Sequence, residues 1–475
     1  MEKDYSKYFA PSLKDARKRL NKDTLSINYE LPEHLMGLGN NRRYIIKTYG
    51  CQGNLADSEK LSGILEAMGY QAVDNEASAD VIVFNTCAIR ENAENRVFGE
   101  LGRIKGLKKH NPDLIMALGG CMPQEEAVAK SLLAKKEIDF VFGTHNIYQL
   151  PEIIDRVLKG EKVFEVYSKA GEVIEDIPLK RASNIKAYIN IIYGCDKFCT
   201  YCIVPFTRGR ERSRAKEDIL AEVSLLKASG YKEITLLGQN VNAYGKDLKD
   251  NYFLSNLLED IAKMGIERIR FMTSHPWDFT DELIEVIAKY DNIAPAIHLP
   301  LQSASDRILK LMGRRYTSSD YETLVAKLRK KVKNLSLSTD IIVAFPGETE
   351  EDFQMTLDLC KKLEYDNAFS FIYSARENTA AAKLKEQIDL DVAKKRLARL
   401  NEVLNSSFLK RNEALVGKVL PVLIEEESSK KGYYLGYSDN SRLVNVKTTK
   451  DNIGKIIPVE ITAAKTWSLD GKALK

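Results

Sequence analysis

Three cysteines stand on one short loop, Gly194-Cys195-Asp196-Lys197-Phe198-Cys199-Thr200-Tyr201-Cys202, in a C-x3-C-x2-C arrangement. Three thiolates at this spacing can hold three irons of a [4Fe-4S] cluster and leave the fourth iron open to another ligand. A structural zinc site takes four ligands, and the sequence offers neither a histidine nor a fourth cysteine close to this loop. The loop therefore predicts an iron–sulfur cluster with one free coordination position.

Three further cysteines, Cys51, Cys87 and Cys121, each stand just beyond the carboxyl end of a predicted β-strand. They are separated by 36 and 34 residues, about the length of one strand–helix unit. Open parallel sheets bind ligands at the edge where the carboxyl ends of their strands meet, so these thiols are predicted to converge there. The alternative is three unrelated buried thiols, which are common in protein cores.

The seventh cysteine, Cys360, lies on the apolar stripe of a predicted helix and is interpreted as structural.

Two series of alternating strands and helices, followed by a β-rich tail, position these cysteines. In the first series the predicted strands are 44–48, 81–85, 114–118 and 140–142, and the predicted helices are 58–68, 91–107, 125–133 and 147–158. In the second series the predicted strands are 188–193, 234–237, 269–272, 296–299, 337–343 and 368–372, and in the tail they are 419–425, 433–437, 443–446 and 456–461. The patterns predict an α/β protein with an N-terminal doubly wound parallel sheet, a partial (β/α)6 barrel and a small C-terminal β-barrel.

The chain divides into five predicted segments: a basic lead-in over 1–40, a first α/β domain over 41–160, a charged linker over 161–184, the barrel over 185–410 and the tail over 411–475. Its 71 Lys and Arg residues against 67 Asp and Glu residues leave a net charge of +4, so any contact with nucleic acid depends on local clusters. The hydrophobic share of 44% is typical of a folded soluble protein. The sequence contains neither a signal-peptide core nor a long apolar run, which predicts a cytosolic protein without a membrane anchor.

The cysteine loop at the start of a barrel resembles that of the radical S-adenosylmethionine (SAM) enzymes, in which the open iron binds SAM. Its surroundings are similar to a narrower group, the methylthiotransferase family, over residues 43 to about 470. The motifs that carry this similarity are Thr48-Tyr49-Gly50-Cys51-Gln52-Gly53-Asn54, Asn85-Thr86-Cys87-Ala88-Ile89-Arg90-Glu91, Gly119-Gly120-Cys121-Met122-Pro123-Gln124 and Tyr201-Cys202-Ile203-Val204-Pro205-Phe206-Thr207-Arg208-Gly209-Arg210-Glu211.

This resemblance implies two clusters with different tasks. The cysteines of the barrel loop would hold the [4Fe-4S] cluster that cleaves SAM, and the other converging cysteines would hold an auxiliary [4Fe-4S] cluster, also with one iron free. One SAM would provide a methyl group to sulfur on the auxiliary cluster, and a second SAM would provide a 5′-deoxyadenosyl radical. The resemblance also implies an electron donor of the flavodoxin or ferredoxin type, and we expect the protein to act as a monomer.

Four motifs in the barrel resemble the branch of the family that modifies an isopentenylated adenosine, directly 3′ of the tRNA anticodon, at ring carbon 2. They are Gly238-Gln239-Asn240-Val241-Asn242-Ala243-Tyr244-Gly245, Arg270-Phe271-Met272-Thr273-Ser274-His275-Pro276, His298-Leu299-Pro300-Leu301-Gln302-Ser303 and Asp340-Ile341-Ile342-Val343-Ala344-Phe345-Pro346-Gly347-Glu348-Thr349. A tRNA anticodon stem-loop is therefore the implied partner. The alternatives are a methylthiotransferase for threonylcarbamoyl-adenosine or for a ribosomal-protein side chain, and a non-catalytic RNA-binding protein with structural or redox-sensing clusters.

No catalytic side chain is identified from the sequence, but four polar residues are candidates for binding SAM or the edge of the adenine. They are Tyr201 in the cysteine loop and Gln239, Gln302 and Ser303 at the ends of predicted strands. The alternative for the residues at strand ends is that they cap the following helices.

The densest cationic run near the predicted chemistry contains Arg208, Arg210 and Arg212. Because an anticodon stem-loop needs positive charge at its phosphates, these arginines are predicted to bind RNA. The alternative is a solvated loop. His275 and His298 are interpreted as hydrogen-bonded core histidines.

The tail resembles the TRAM module, a small RNA-binding β-domain, through its strand pattern and residues 436–446. It departs from the family at Gly436-Tyr437-Ser438, where Gly-Arg-Thr is usual, and at Arg376-Glu377-Asn378-Thr379-Ala380, where Arg-Pro-Gly-Thr-Pro is usual. From Asn412 onward the tail has 10 basic and 8 acidic residues, so its charge does not identify RNA contacts.

Overall fold

The computed structural model describes residues 24–88, 91–125, 128, 131, 137–167 and 172–474. Its first unit contains strands β1 (Leu25–Asn28), β2 (Arg43–Tyr49), β3 (Gln71–Ala72), β4 (Val81–Thr86), β5 (Ile115–Gly120), β6 (Phe140–Phe142), β7 (Val163–Glu165) and β8 (Glu172–Glu175) and helices α1 (Gln52–Ala67), α2 (Glu91–His110) and α3 (Leu150–Leu158). Strands β2 to β7 form a parallel sheet in the order β3-β2-β4-β5-β6-β7. Strand β4, with the sequence Val-Ile-Val-Phe-Asn-Thr, is buried along its whole length. Such continuous burial is typical of a strand covered on both faces, and separate apolar clusters lie on the two faces of this sheet.

The segment predicted as a linker contains ordered strands. Strand β7 is the edge strand of the first sheet, and β8 pairs in parallel with β1, which lies within the predicted lead-in. The prediction that residues 161–184 are only a linker is thus wrong for the residues of these two strands. Residues 1–23 of the lead-in and most of the predicted helix 125–133 lie outside the described residues.

The second unit contains strands β9 (Lys186–Asn190), β10 (Ile192–Tyr193), β11 (Arg212–Ser213), β12 (Glu233–Leu237), β13 (Arg268–Phe271), β14 (Ala296–His298), β15 (Ser336–Val343) and β16 (Asn367–Ile372). Its helices are α4 (Val204–Thr207), α5 (Lys216–Ala228), α6 (Leu254–Lys263), α7 (Asp281–Lys289), α8 (Asp306–Leu311), α9 (Ser318–Lys331), α10 (Glu350–Leu363) and α11 (Leu390–Glu413). Parallel ladders join β9, β12 and β13, and likewise β14, β15 and β16, while Ile269 and Ile293 bridge the two sets. The six parallel strands form the predicted partial (β/α)6 barrel.

One barrel strand differs from the prediction. The segment 188–193 divides into β9, which belongs to the parallel sheet, and β10, which pairs antiparallel with β11. This pairing brings Arg212 beside Tyr193, directly before the cysteine loop. The loop therefore begins from a small hairpin-like ladder rather than from the end of a barrel strand.

The tail is a closed five-stranded barrel. Its strands are β17 (Val419–Glu427), β18 (Tyr433–Ser438), β19 (Leu443–Lys447), β20 (Ile456–Ala464) and β21 (Leu469–Ala473), in the order β17-β18-β19-β21-β20. Inward-facing residues such as Val422, Val444 and Val459 are fully buried and form its core. None of the helices in the described ranges is long and apolar enough to span a bilayer.

Candidate functional site

The cysteine loop of the barrel is shaped by its own backbone contacts. Gly194 has a φ of +76°, and a Cβ at this position would lie 2.0 Å from the carbonyl oxygen of Arg210, so only glycine is accommodated. The Gly194 N–H donates to Oε1 of Gln239 at 2.5 Å, and the Cys195 N–H donates to the carbonyl of Gly209 at 3.1 Å. These contacts fix the path of the loop independently of any bound group.

The thiols of this loop lie close enough to influence one another. Burial raises the pKa of Cys202 to about 12, with the neighbouring Cys199 contributing in the same direction. Burial also raises the pKa of Cys195 far above its ordinary value, and Glu211, Cys202 and Cys199 add to this effect. A thiolate is the metal-binding form, so metal binding at such a site expels protons that the bare thiols retain.

The other three cysteines meet at the carboxyl edge of the first sheet, as predicted. Cys51 caps the amino end of α1, while Cys87 and Cys121 directly follow β4 and β5. Burial raises the pKa of Cys121 to about 12, with Cys87 and Cys51 adding to the shift and Arg208 opposing it. Because β2, β4 and β5 are adjacent in the sheet, the three cysteines lie at neighbouring positions along one edge.

Two asparagines hold the three loops of this edge together. Asn54 Oδ1 accepts the N–H of Cys51 at 3.2 Å, and Asn54 Nδ2 donates to the carbonyl of Thr86 at 3.0 Å. Asn85 Nδ2 donates in turn to the carbonyl of Asn54 at 2.8 Å. The Cys121 N–H donates to the same Thr86 carbonyl at 2.8 Å, so every cysteine-bearing loop is tied to its neighbours.

Arg208 joins the two sets of cysteines. It lies six residues after Cys202, the last residue of the barrel loop. Its Nε donates to Cys121 Sγ at 3.2 Å. Its Nη2 forms an ion pair with Asp57 at 2.7 Å. Ile203 and Phe206 pack beside it against Ala88 and Cys121 in one apolar cluster. The segment that leaves Cys202 therefore contacts the first set of cysteines directly.

This arrangement corrects the prediction that the arginine run binds RNA phosphates. Arg208, Arg210 and Arg212 are 7%, 5% and 6% exposed, which removes them from the surface that a stem-loop can reach. Arg212 donates to the carbonyls of Glu172 at 2.8 Å and Arg208 at 3.1 Å. The run is an internal set of cations that fastens the barrel to the first domain.

A cavity of about 610 Å³ opens next to Cys202, and Tyr201, Gln302, Asp340 and Phe371 are among the residues that line it. Its volume lies within the range of small-molecule sites. Gln302 has a φ of +70°, which is rare outside glycine and marks a constrained backbone. Its Oε1 is buried and has no hydrogen-bond partner in the described part of the chain, and the same holds for the hydroxyl of Tyr373 on the same wall.

Two unpartnered polar atoms beside a cysteine loop fit an occupant with hydrogen-bonding groups of its own, such as SAM. The closely spaced and protonated thiols fit iron–sulfur clusters, whose cysteines bind separate irons. Within the described ranges, no three His, Cys, Asp or Glu side chains are arranged around a single metal ion.

The remaining candidates from the sequence lie elsewhere in the fold. Gln239 contacts the cysteine loop instead of the cavity, and Ser303 is fully buried, where its hydroxyl accepts the N–H of Ser305 at 3.2 Å. Ser303 therefore supports Ser305, which caps α8 by accepting the N–H of Ile308. His275 Nδ1 accepts the N–H of Trp277 at 3.3 Å, and burial lowers the pKa of His275 to about 2. Cys360 is fully buried in the barrel core, which confirms its structural interpretation.

Arg314 is a site residue that sequence reasoning missed. Its Nη1 lies 3.6 Å from Cys199 Sγ, and its Nη2 donates to the carbonyl of Pro300 at 2.7 Å. Arg314 is 7% exposed, whereas its neighbour Arg315 is exposed. The two adjacent arginines look alike in the sequence, and only the turn after α8 distinguishes them. Asn54 and Asn85 were also missed. The sequence gives only a weak indication of their role, because both lie within three residues of a cysteine.

Comparisons with known proteins agree with this architecture. The barrel matches the radical SAM superfamily over 189–360, the first domain matches the uncharacterized protein family UPF0004 over 43–143, and the tail matches the TRAM domain over 413–474. The radical SAM methyltransferase TsrM from Kitasatospora setae superposes with a TM-score of 0.53 at 15% identity, covering 72% of this chain and 77% of that one, which shows a shared fold.

Fold and site together define a three-domain radical SAM enzyme with two sets of cysteines. The tRNA-2-methylthio-N(6)-dimethylallyladenosine synthase of Bacillus subtilis is 54% identical over 482 residues, covering 99% of this chain and 94% of that protein. The protein of the same name from Staphylococcus aureus is 51% identical over 484 residues, covering 100% of this chain and 94% of that protein. The chain belongs to the family of tRNA-2-methylthio-N(6)-dimethylallyladenosine synthases.

Proposed function

We propose that this protein methylthiolates N6-isopentenyladenosine, directly 3′ of the anticodon in tRNA, at ring carbon 2. Membership in the family supports this activity, as does the TRAM barrel at the end of the chain. The observation that carries the proposal is the contact of Arg208 with Cys121, because it joins the segment that follows Cys202 to the cysteines of the first domain. A reaction that draws on two clusters requires both cluster sites to reach one substrate.

The six cysteines are the proposed ligands of two [4Fe-4S] clusters, with Cys195, Cys199 and Cys202 at the barrel and the other three at the first sheet. When bound, the barrel cluster would supply the electron that cleaves SAM to methionine and a 5′-deoxyadenosyl radical. The task of this chain's own residues is to bind, orient and exclude water. Tyr201, Gln302 and Tyr373 line the cavity beside Cys202 and are the proposed contacts to SAM.

Burial explains how the site protects a reactive species. Arg314 approaches Cys199 from the barrel side and Arg208 approaches Cys121 from the other domain, and both guanidinium groups are buried. Each guanidinium places a fixed positive charge beside a sulfur ligand, which stabilises negative charge on the thiolate in a water-poor setting. Hydrogen abstraction needs reacting atoms at about 3 to 3.5 Å, so a rigid frame of this kind favours the reaction.

The test is anaerobic reconstitution with iron and sulfide, followed by incubation with SAM, a strong reductant and an isopentenylated anticodon stem-loop RNA. Mass spectrometry of the digested nucleosides should show 2-methylthio-N6-isopentenyladenosine. An RNA that carries threonylcarbamoyl-adenosine and the isolated ribosomal-protein substrate serve as the matched alternatives. Product on either of these, with none on the isopentenylated RNA, would reject the proposed substrate.

The partners other than tRNA follow from the same proposal. A flavodoxin or ferredoxin would provide the electrons, the protein would act as a monomer, and both clusters favour a reducing compartment such as the cytoplasm. Reduction of the reconstituted protein by purified flavodoxin with its reductase, compared with ferredoxin, distinguishes the donors.

A further inference from the structure

The cavity beside Cys202 is lined by residues of two kinds. The polar residues include Tyr201 from the cysteine loop and Gln302, whose Oε1 is unpartnered in the described part of the chain. The apolar residues include Phe371 from the last barrel strand and Leu390 and Leu397 from α11. The cavity thus offers apolar surface in addition to the polar groups that suit SAM.

The last barrel strand presents unusual side chains to this opening. Phe369 and Phe371 are 42% and 38% exposed, although large apolar residues are normally buried. Their partners in the parallel ladder with β15 are Asp340 and Ile342, and both of these line the cavity. Phe371 itself lines the cavity, and Phe369 lies two residues earlier on the same face of β16, since side chains alternate along a strand.

The ring of Phe369 is held in place by a neighbouring side chain. Its ring packs edge-to-face on His298 with the ring centroids 6.0 Å apart, and His298 Nδ1 lies 3.0 Å from the hydroxyl of Ser338. Leu390, at the start of α11, is 56% exposed. A fixed apolar wall with its outer surface uncovered, continuous with a reactive site, is suited to an apolar part of the substrate.

We propose that Phe369, Phe371, Leu390 and Leu397 form the subsite that binds the isopentenyl group of the target adenosine. The inference rests on the proposed function, since only that substrate carries a branched hydrocarbon beside the reacting ring. Burying the five-carbon group against this wall removes apolar surface from water, whereas an unmodified adenosine leaves the wall exposed. The subsite thereby selects tRNA that has already been isopentenylated.

The test measures RNA binding by the reconstituted protein, with and without the isopentenyl group on an otherwise identical anticodon stem-loop. The wild type should bind the isopentenylated RNA more tightly. Phe369→Ala combined with Phe371→Ala should weaken binding of the isopentenylated RNA about tenfold and leave binding of the unmodified RNA unchanged. Phe371→Leu, which keeps an apolar side chain, should retain most of the preference. Iron content and circular dichroism establish that each variant is folded and loaded.

Phe253→Ala is the matched control, because Phe253 is also 42% exposed but precedes α6 away from this wall. It should leave both affinities at wild-type values. A double variant that keeps the wild-type preference, or a wild type without any preference, would overturn the subsite. If the wild type binds isopentenylated RNA selectively but forms no methylthiolated nucleoside, the proposed reaction fails while the subsite stands.

Discussion

His275 illustrates how burial of a single side chain sets a pH dependence. Burial lowers its pKa from 6.5 to about 2, with Arg314 contributing in the same direction, so the folded protein keeps this ring neutral. The unfolded chain binds a proton on the same ring below pH 6.5. Stability from this residue is therefore present above pH 6.5 and is lost as the pH falls, by about 2 kcal/mol at pH 5.

Replacing His275 with Asn keeps a side-chain acceptor for the N–H of Trp277 and removes the titrating ring. Denaturant titrations at pH 7 and pH 5 should show a smaller loss of stability for His275→Asn than for wild type. His110→Asn, at the exposed end of α2, is the control and should follow the wild type. Parallel pH curves for wild type and His275→Asn would show that the ring is not held neutral.

The ion pair between Arg208 and Asp57 is the second prediction at this scale. Both side chains are buried, at 8% and 4% exposure, and the pair crosses between two domains. Asp57→Asn keeps the shape but leaves Arg208 as an uncompensated buried charge, which should cost about 3 kcal/mol of unfolding free energy. Glu285→Gln removes a partner from the exposed pair with Lys331 and should have no measurable effect. Equal stability of Asp57→Asn and wild type would mean that water reaches Arg208.

The buried positions of Arg208, Arg210 and Arg212 show why the sequence alone predicted them wrongly as RNA-binding residues. A local count of charges does not distinguish a solvated cation from one whose partners lie far along the chain. Asp57 precedes Arg208 by 151 residues, and the carbonyl of Glu172 that binds Arg212 is 40 residues away. The cysteines were predictable because their spacing follows the period of the strand–helix unit, which is a local property.

At the scale of elements, the tail barrel is docked against the radical SAM barrel and not merely tethered. Arg270, on β13, donates to the carbonyls of Ser438 at 2.7 Å and Asp439 at 2.9 Å and to the hydroxyl of Ser441 at 2.5 Å. Arg270→Ala removes these hydrogen bonds and should weaken docking by about 2 kcal/mol.

Limited proteolysis by trypsin after Arg442 detects this loss, because Arg442 is buried against Asp366 in the docked arrangement and becomes accessible only when the tail barrel moves away. The rate should rise about thirtyfold in Arg270→Ala, since cleavage tracks the population of the undocked form. Arg315→Ala, which removes an exposed guanidinium stacked on Trp277, is the control. Unchanged cleavage in both variants would show that other contacts, such as Arg442 with Asp366, hold the tail barrel alone.

Elements with strong β-forming sequences were predicted closely, and weak ones were not. Strand β6 agrees with its prediction residue for residue, since Phe140, Val141 and Phe142 favour an extended chain. Strand β21, Leu-Asp-Gly-Lys-Ala, was missed because Asp470 and Gly471 are typical of turns. Its strand character comes from pairing with β19 and β20, which only closure of the barrel provides.

At the scale of the whole molecule, two domains carry one cysteine set each, and the segment that follows Cys202 contacts the set on the first domain. The reconstituted protein should hold about eight irons, and replacing Cys195, Cys199 and Cys202 together by Ala should leave about four irons and abolish formation of 5′-deoxyadenosine. Cys360→Ser is the matched control, since Cys360 is buried in the barrel core away from both sets and should change neither quantity. SAM cleavage that persists in the triple variant would contradict the assignment.

The complementary variant replaces Cys51, Cys87 and Cys121 together by Ala and separates the two tasks. The barrel set lies on a different domain, so reduction should still convert SAM to 5′-deoxyadenosine, whereas no methylthiolated adenosine should form. The first sheet has apolar clusters on both faces and does not depend on a cluster for its core, although Cys121 contributes to the contact with Phe206. Circular dichroism and RNA binding therefore come first. Methylthio product from a well-folded variant of this kind would mean that the sulfur does not come from the cluster at the first sheet.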